Sequence, residues 1–523
     1  MGNAAGQRHM RCLGRAAAAF AISSALFVLQ LGPTAAADSP AHPPARSGPS
    51  TQRLSVMEFN IENGGLVVDF RSIVSAIEAA GPDVVGVEEA QGNIPRLAEA
   101  LGFPYYSVRL QILSRFPLVD PPGSKGLYVL IELGPGQVAA IGNVHLPSNP
   151  YSPNLIRRGA KRKDIIALES RVRLPFVEPT VRALSKLVSD GIPSFLTGDF
   201  NAPSFRDWTK ATVGFSYRRY PVHWPVSEYV ERAGFRDSYR DAHPDPVTDP
   251  GITWPSGRPH EPGVWSPGPN APADRIDFVY AAGSSQTLGS EIVGESADSE
   301  ASVTVDPWGS DHRATMSTFA VMPGASPTLV AVGDRLVTSG GDEGVTYHGP
   351  GTPGERVDVI PAISNSLHPI FTQSVGGTTD GTLTISTDGW YPGAYVVNLV
   401  DGSSLLSSSR FWVQAPGARP EIMTSKRIYG VDEQIGVSWT NAPGERWDWV
   451  GVYKRGANPL TAYYLTWAYT HASIVGSTKL GPYANGPWPL PPGNYSVYLL
   501  ADDGYHVLAR ARFAVRSARA SSV

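Results

Sequence analysis

The chain has 523 residues, of which 42% are hydrophobic, and its formal net charge is −4. This length exceeds what one hydrophobic core accommodates, so we expect about two to four domains. The slightly acidic balance excludes a protein that holds nucleic acid by net charge alone, although it is compatible with an enzyme that contacts a few phosphates. The 54 glycines and 47 prolines favour strands and turns over long helices.

The segment 1–37 has the composition of a secretory signal peptide. Three arginines precede an uncharged, mostly apolar stretch at 16–31, and the small residues at 35–37 are typical of a cleavage site. A transmembrane anchor is the alternative, but a span needs about 20 apolar residues. We therefore expect a secreted, extracellular protein whose mature chain begins at Asp38 and has no transmembrane segment. A Pro-rich linker over 38–52 follows.

The chain contains one cysteine, Cys12, which would be removed with the signal peptide. The mature protein would then have neither a disulfide nor a thiol ligand. Its stability would depend on packing, and any bound metal would have oxygen and nitrogen ligands.

Residues 53–322 alternate between predicted strands and helices. Several of the strands end in polar residues, which is typical of an α/β sandwich with a site along one rim. The predicted strands cover 54–59, 83–87, 111–118, 127–133, 138–146, 195–200, 274–281 and 313–321, and the predicted helices cover 70–80, 179–189 and 224–233.

Beyond residue 322 the helical periodicity disappears and short alternating strands continue to the end. This part contains an internal repeat, because Pro-Gly-Glu-Arg at 353–356 recurs at 443–446. Each half, 327–415 and 420–516, has the size of an immunoglobulin-like sandwich. We interpret the two halves as all-β modules that contact a surface, a polymer or a lipid, or that act as spacers.

Polar residues follow the strand ends at six places in the N-terminal half. Each alone has an ordinary structural interpretation, such as a turn, a surface ion pair or a rim histidine. Together they supply oxygen ligands for a hard cation, two histidines and two amides, which metal-assisted phosphoryl chemistry requires. They are Asn60 with Glu62, Glu89, His145, Asp199 with Asn201, Asp277, and Asp311 with His312.

The order of these motifs resembles the endonuclease/exonuclease/phosphatase superfamily, which includes nucleases, neutral sphingomyelinases and inositol polyphosphate phosphatases. The resemblance implies a DNase I-like four-layer α/β sandwich over 53–322, but it does not select a substrate. It is carried by Phe59-Asn60-Ile61-Glu62, Gly86-Val87-Glu88-Glu89, Val144-His145-Leu146, Gly198-Asp199-Phe200-Asn201, Arg275-Ile276-Asp277-Phe278 and Ser310-Asp311-His312.

The resemblance also implies a metal site. Glu89 would be the principal ligand of Mg²⁺, with Asn60 and Asp311 close to the ion, and Mn²⁺ or Ca²⁺ are alternatives. Glu62 occupies a position where some members have a second acidic residue, so it would help to hold a second or shifted metal.

The remaining residues would act on the phosphate. By resemblance, Asp199 orients or deprotonates the attacking water, while Asn60, Asn201 and His145 contact phosphoryl oxygens. His312 would polarise the phosphoryl group or act as the acid–base group, oriented by Asp277; a buried carboxylate fixes the tautomer of its histidine. Spacing alone leaves the identity of the base open.

Two further features bear on the site. Glu88 stands where the family commonly has glutamine; it would pair with a basic residue or point to the other face of its strand, and we favour the second interpretation and leave it out of the site. The basic run 157–163 predicts Arg157 and Arg158 as phosphate- or substrate-binding residues, with a solvated surface as the alternative.

The sequence therefore predicts a secreted, Mg²⁺-dependent phosphodiesterase, with extracellular nucleic acid as the leading substrate. A phospholipase C-like activity is an alternative that would require an exposed apolar hairpin, for which the sequence gives no convincing candidate. An inositol-phosphate phosphatase would require a compact basic pocket. The alternative from another class is a non-catalytic extracellular binding protein.

Overall fold

A computed structural model describes residues 50–517, except residues 216 and 299 and the segments 261–270, 363–367 and 483–487. The predicted signal peptide and residues 38–49 of the predicted linker lie outside the described residues. Within the described ranges, no helix is both long and apolar enough to cross a membrane.

The N-terminal half shows the predicted alternation of strands and helices. In chain order its elements are β1 (Gln52–Asn60), α1 (Glu62–Gly65), α2 (Phe70–Ala80), β2 (Val84–Glu88), α3 (Ile94–Leu101), β3 (Tyr105–Ser107), β4 (Ile112–Ser114), β5 (Leu118–Val119), β6 (Val129–Gly134), β7 (Gln137–His145), α4 (Ser152–Arg157), α5 (Arg162–Val172), α6 (Leu174–Ser189), β8 (Ser194–Asp199), α7 (Pro225–Arg232), β9 (Arg236–Asp237), α8 (Ser238–Ala242), β10 (Asp277–Ala282), β11 (Ser285–Gly294), β12 (Ala301–Thr304), β13 (Ala314–Val321) and β14 (Gly324–Ala325).

Two predicted elements differ from the observed ones. The strand predicted over 111–118 is divided into β4 and β5, which belong to different sheets; Pro117, which has no N–H for a strand ladder, lies between them. The helix predicted from residue 179 begins five residues earlier at Leu174, with Pro179 inside it. Proline favours the first turn of a helix, so the sequence pattern indicated a later start.

The strands form two sheets that pack face to face. The first has the order β12-β11-β13-β1-β2-β4-β3, and the second has the order β5-β6-β7-β8-β10-β9, with β14 paired to β7. An apolar cluster that includes Val56, Ile141 and Phe195 lies between the sheets. Helices α2 and α3 cover the outer face of the first sheet, and α6 and α7 cover the outer face of the second. The result is the expected four-layer α/β sandwich.

The C-terminal half consists of two modules with the same topology. In the first module, β15-β17-β20 face β16-β22-β21-β18-β19, and in the second, β23-β25-β28 face β24-β30-β29-β26-β27. Corresponding strands therefore occupy corresponding places, as expected for an internal repeat. The strands are β15 (Leu329–Val332), β16 (Leu336–Thr338), β17 (Asp342–His348), β18 (Glu355–Pro361), β19 (Phe371–Ser374), β20 (Asp380–Ser386), β21 (Gly393–Asp401), β22 (Ser404–Gln414), β23 (Glu421–Thr424), β24 (Ile428–Gly430), β25 (Ile435–Thr440), β26 (Trp449–Lys454), β27 (Thr466–Tyr469), β28 (Gly476–Leu480), β29 (Gly493–Leu500) and β30 (Val507–Arg516).

The two sheets of the sandwich approach each other closely below the rim where the polar residues gather. Gly86 on β2 permits this approach, because a Cβ atom there would lie 2.1 Å from Oγ1 of Thr197 and 2.7 Å from Oδ1 of Asn143. Both of these polar side chains are buried, and Thr197 donates to Asn143 at 2.8 Å. The short distance between the sheets brings the ends of β1 and β8 into direct contact.

Candidate active site at the strand ends

The predicted polar residues meet because they lie at strand termini on one edge of the sandwich. On parallel strands β7 and β8, His145 pairs with Asp199, and on antiparallel strands β8 and β10, Asp277 pairs with Asp199. Asn60 at the end of β1 donates from Nδ2 to Oδ2 of Asp199 at 3.1 Å, across the gap between the sheets. The geometry of the strands thus places these side chains around Asp199.

Asp199 is the centre of the site and is 1% exposed. Its Oδ1 accepts from the backbone N–H of Asn201 at 2.8 Å, and its Oδ2 lies 3.4 Å from Nε2 of His145 and 3.8 Å from Nε2 of His312. Burial alone would raise the pKa of Asp199, but the charges of His312 and His145 and the hydrogen bonds lower it below its ordinary value. Asp199 is therefore a carboxylate held between two imidazole rings.

His312 is oriented by Asp277. Its Nδ1 lies 3.0 and 3.1 Å from the two carboxylate oxygens of Asp277, which leaves Nε2 directed towards Asp199. Burial would lower the pKa of His312, but the charges of Asp277, Asp199 and Asp311 raise it well above the ordinary value. The three carboxylates therefore favour the protonated, imidazolium form of His312.

Glu89 and Asp311 provide oxygen atoms beside Asp199, His312 and Asp277. Glu89 follows β2 with a φ of 57°, and its Oε2 accepts from the backbone N–H of Asn63 at 3.0 Å. Burial raises the pKa of Glu89; His145 opposes this and Asp311 adds to it. Among the described residues, no lysine or arginine forms an ion pair with Glu89 or Asp311. An excess of carboxylates without a basic partner fits a divalent cation held by oxygen donors.

Asp199, Asp277 and His312 also form a compact buried group, with one potential ligand atom from each within 4.8 Å of the others. Nδ1 of His312 already contacts Asp277. This arrangement favours a carboxylate–imidazole relay for these three residues, with the cation on the side of Glu89 and Asp311.

A pair of acidic side chains lies in the interior next to the site. Glu58 and Glu88 are 0% and 1% exposed, and no other described group bonds to their carboxylate oxygens. Burial raises the pKa of both, that of Glu88 to about 8, and the charges of Asp277 and Asp199 act in the same direction. These shifts favour a protonated carboxyl in the pair, which would let the two groups bond through a shared proton.

A loop of the second module closes one side of the site. Nδ1 of His145 forms a short contact with the carboxylate of Asp503, and the Tyr469 hydroxyl donates to the other oxygen of Asp503 at 3.0 Å. Burial would lower the pKa of His145, but Asp503 and Asp199 raise it well above the ordinary value. His145 thus lies between two carboxylates from different parts of the chain, which favour its imidazolium form.

Comparison with known proteins identifies the family. A sequence model described as the endonuclease/exonuclease/phosphatase family matches residues 57–312. An uncharacterized protein of Caenorhabditis elegans, F14F9.5, is 31% identical over 250 residues, which are 44% of this chain and 79% of that protein. The chain belongs to the endonuclease/exonuclease/phosphatase family. The chain is accordingly assigned to the hydrolases that act on phosphoric esters. Members of the endonuclease/exonuclease/phosphatase family generally depend on a divalent metal ion.

Solved structures of low sequence identity are also similar. An endonuclease/exonuclease/phosphatase of Beutenbergia cavernae is 18% identical, with 69% of this chain and 99% of that chain covered and a TM-score of 0.32. TDP2 of D. rerio, complexed with a single-strand DNA product, is 15% identical, with 51% and 99% covered and a TM-score of 0.29. A mannosyl-6-phosphatase of Bacteroides thetaiotaomicron is 15% identical, with 51% and 99% covered and a TM-score of 0.28.

Two residues of the family motifs have contacts that differ from their predicted roles. Asn201 donates from Nδ2 to Asp199 at 3.0 Å and to the carbonyl of Leu146 at 3.0 Å, so its amide supports the carboxylate; its contact with a phosphoryl oxygen stays a prediction. Both oxygens of Glu62 contact Arg258, at 2.8 and 2.6 Å. This ion pair, together with burial that raises the pKa of Glu62 to about 7, does not favour a role as metal ligand.

Predictions were also made for Arg157 and Arg158 of the basic run 157–163 and for Glu88. Arg157 ends α4 and Arg158 is exposed, and their substrate-binding role stays a prediction. Glu88 faces the interior between the sheets, where the charges of Asp199 and Asp277 raise its pKa and that of His145 lowers it. It contacts no basic side chain among the described residues, so the alternative of a pair with a basic residue is not observed, and its exclusion from the ligands stays a prediction.

Sequence reasoning missed the contribution of the second module. Asp503 lies 358 residues from His145, and no pattern within the family motifs indicates it. One signal was present in the repeat: Val400-Asp401-Gly402 of the first module corresponds to Leu500-Ala501-Asp502-Asp503-Gly504 of the second. The two extra residues of the second copy include Asp503. Trp254 was also missed as a site residue; its Nε1 donates to Asp311 at 3.2 Å.

Proposed function

We propose that the protein is a secreted, Mg²⁺-dependent phosphodiesterase, with nucleic acid as its leading substrate. The observation that carries the chemistry is Asp199, a carboxylate held between His145 and His312 at the rim where Glu89 and Asp311 provide oxygen donors. Secretion rests on the composition of residues 1–37.

The protonation states suggest roles for the residues. Asp199, whose pKa is lowered, accepts the proton of the attacking water as the new P–O bond forms. His312, whose pKa is raised, donates a proton from Nε2 to the leaving oxygen as the old P–O bond breaks. His145 provides a second positive charge next to the phosphoryl oxygens. This assignment favours Asp199 as the base, which the sequence left open.

The metal site is proposed on the side of Glu89. Glu89, Asp311 and Asn60 are the residues that would hold Mg²⁺, or Mn²⁺ or Ca²⁺ in its place. When bound, the cation supplies positive charge to the phosphoryl oxygens and to the leaving group. Glu62 would support this side indirectly, since its Oε2 accepts from the backbone N–H of Asp311 at 2.9 Å.

A lipid phosphodiester is the second candidate substrate, and one observation favours it. A cavity of ≈ 1070 Å³, with walls that include Phe176, Trp412, Trp447 and Ile474, extends to His145 between α6 and the modules. This volume slightly exceeds the usual range for ligand pockets, about 300–1,000 Å³, and the cavity would accept an apolar chain without the exposed hairpin that we expected. Phospholipase C-like hydrolysis is therefore retained as the alternative, ahead of an inositol-phosphate phosphatase.

The modules are proposed to be immunoglobulin-like and to contact a surface or a polymer. In both modules a tyrosine hydroxyl donates to a backbone carbonyl four residues earlier, Tyr395 to Tyr391 at 2.7 Å and Tyr495 to Pro491 at 2.6 Å. A hydrogen bond of this kind is typical of immunoglobulin-like sandwiches.

Hydrolysis by the purified full chain after signal removal tests the proposal. The substrates would be single-stranded DNA, plasmid DNA, RNA, sphingomyelin, an inositol polyphosphate and bis(p-nitrophenyl) phosphate, each with Mg²⁺ and with EDTA. We expect Mg²⁺-dependent cleavage of nucleic acid that is lost in His312→Ala. Cleavage of sphingomyelin alone would show that the substrate is a lipid phosphodiester and not nucleic acid. A folded, Mg²⁺-binding protein without turnover on any substrate would favour the non-catalytic binding protein.

A further inference from the structure

The loop that contains Asp503 is fixed to the N-terminal half by several hydrogen bonds. The neighbouring Asp502 accepts from the backbone N–H of Gly92 at 2.7 Å and from Nε2 of Gln111 at 2.6 Å. Asp502 is 2% exposed, so these bonds are shielded from water. A further link joins the backbone N–H of Arg446 to the carbonyl of Arg109 at 2.9 Å. The second module therefore forms a fixed wall next to the strand ends.

Within this wall, hydrogen bonds orient the carboxylate of Asp503 towards His145. Its backbone N–H donates to the carbonyl of Trp447 at 2.8 Å, and Tyr469 donates to Oδ1 at 3.0 Å. These bonds leave Oδ2 directed at Nδ1 of His145. A carboxylate that bonds to one nitrogen of a histidine fixes the orientation of the ring and the position of its other nitrogen. The other nitrogen of His145 lies beside Asp199.

Next to this contact is a pocket with a volume of ≈ 330 Å³. Glu89 and His145 line one side, and aromatic side chains of the second module line the other. These rings contact one another edge to face, with centroid distances of 4.8 to 6.3 Å, so they form one aromatic cluster. We call these aromatic residues the aromatic wall; they are Trp449, Tyr464, Trp467, Tyr469 and Tyr505.

We propose that the second module completes the catalytic pocket: Asp503 positions His145, and the aromatic wall is the subsite on which one base of the nucleic acid substrate stacks. The second part rests on the proposed function. The volume is near the lower limit of ligand pockets and suits one flat ring. Aromatic side chains stack on any base without regard to sequence, which suits an enzyme whose other contacts are with phosphate.

The positioning role is tested on a small phosphodiester, so its outcome does not depend on nucleic acid as substrate. With bis(p-nitrophenyl) phosphate and Mg²⁺, Asp503→Asn in the full chain is expected to lower kcat about 10- to 100-fold while KM changes less than about twofold. Asp503→Glu is expected to restore part of the loss. Asp432→Asn, an exposed aspartate of the same module, is the matched control and is expected to leave kcat unchanged.

A double-mutant cycle separates positioning from a general structural role. Asp503→Asn is expected to have almost no further effect on kcat in a His145→Gln background, because the ring that it positions is gone. If Asp503→Asn does not fold, Tyr469→Phe removes only the hydroxyl that holds Asp503 and is expected to lower kcat by a smaller factor. Unchanged kcat in a folded Asp503→Asn variant, or full additivity with His145→Gln, would overturn the positioning role.

The aromatic subsite is tested with two single-stranded oligonucleotides of equal length, one normal and one abasic around the scissile phosphate. The parent is expected to have the lower KM for the normal strand, and Tyr505→Ala to reduce this preference by roughly 5- to 100-fold. Tyr391→Ala, which alters a tyrosine of the first module that is 85% exposed, is the control. A parent that cleaves both strands with equal KM overturns the subsite alone. A parent that cleaves neither strand but hydrolyses the small phosphodiester overturns nucleic acid as substrate and leaves the role of Asp503 standing.

Discussion

His312 and Asp277 form an ion pair within the site: Nδ1 lies 3.0 Å from Oδ1, and both residues are almost fully buried. The pair determines which nitrogen of His312 faces Asp199 and the substrate. An uncharged amide at position 277 would not stabilise the imidazolium, and it could bond to the ring in either of two orientations.

Asp277→Asn is therefore expected to lower kcat/KM by about 100-fold or more, since the carboxylate fixes both the charge and the tautomer of the acid. The measurement is hydrolysis of bis(p-nitrophenyl) phosphate at pH 7 with saturating Mg²⁺. Asp380→Asn, at an exposed strand position in the first module, is the control for the same chemical change. Retention of more than about a third of the parental kcat/KM by a folded Asp277→Asn variant would show that His312 is not the proton donor.

Glu89 and Glu62 are both near the proposed metal site, but their contacts predict opposite results. Glu89 has no basic partner among the described residues, whereas Arg258 contacts both oxygens of Glu62. Glu89→Gln is expected to weaken Mg²⁺ binding at least about tenfold, and Glu62→Gln to weaken it by less than about threefold. Isothermal titration of the full-length variants with MgCl₂ measures both constants. A larger loss for Glu62→Gln than for Glu89→Gln would restore Glu62 as a ligand and contradict our assignment.

The sequence was sufficient to predict the residues whose positions follow from strand geometry. His145 and Asp199 end their strands and Asp277 begins β10, and the register of neighbouring strands brings the three together. The contacts of Asn201 could not be predicted in this way, because a turn with φ of 48° at that residue directs its amide back to Asp199. Asp503 depends on how a separate module packs against the rim, and this packing leaves no periodic pattern in the sequence.

Glu343 in the first module gives a prediction for the pH dependence of stability. It is fully buried; Oε1 accepts from the backbone N–H groups of Gly333 and Asp334, but Oε2 has no partner among the described residues. Burial raises its pKa from 4.5 to about 8. Because the folded-state pKa lies above the unfolded one, the folded state binds more protons between these values, and the free energy of unfolding falls as the pH rises through this window.

Glu343→Gln removes this titration. We expect the free energy of unfolding of the variant to exceed that of the parent at pH 8 by an amount on the order of a few kcal/mol, with the difference vanishing towards pH 4.5. Urea unfolding followed by tryptophan fluorescence at several pH values measures this. Asp342→Asn changes the exposed neighbour and is expected to leave the pH profile unaltered. A larger advantage for Glu343→Gln at low pH than at high pH is the outcome that contradicts the prediction.

Gly86 tests whether the close approach of the two sheets supports the site. A Cβ atom there would lie 2.1 Å from Oγ1 of Thr197, which is held by its hydrogen bond to Asn143. Gly86→Ala is expected to lower the free energy of unfolding by about 1–3 kcal/mol, because the sheets must separate or the buried hydrogen bond must break. Since β1 and β8 would then move apart at the rim, the bond from Asn60 to Asp199 should lengthen and kcat should fall as well.

Gly289→Ala is the matched control, a strand glycine whose Cβ would meet no atom within 4 Å. Equal stability and activity of the Gly86→Ala and Gly289→Ala variants would mean that the spacing between the sheets does not position Asp199.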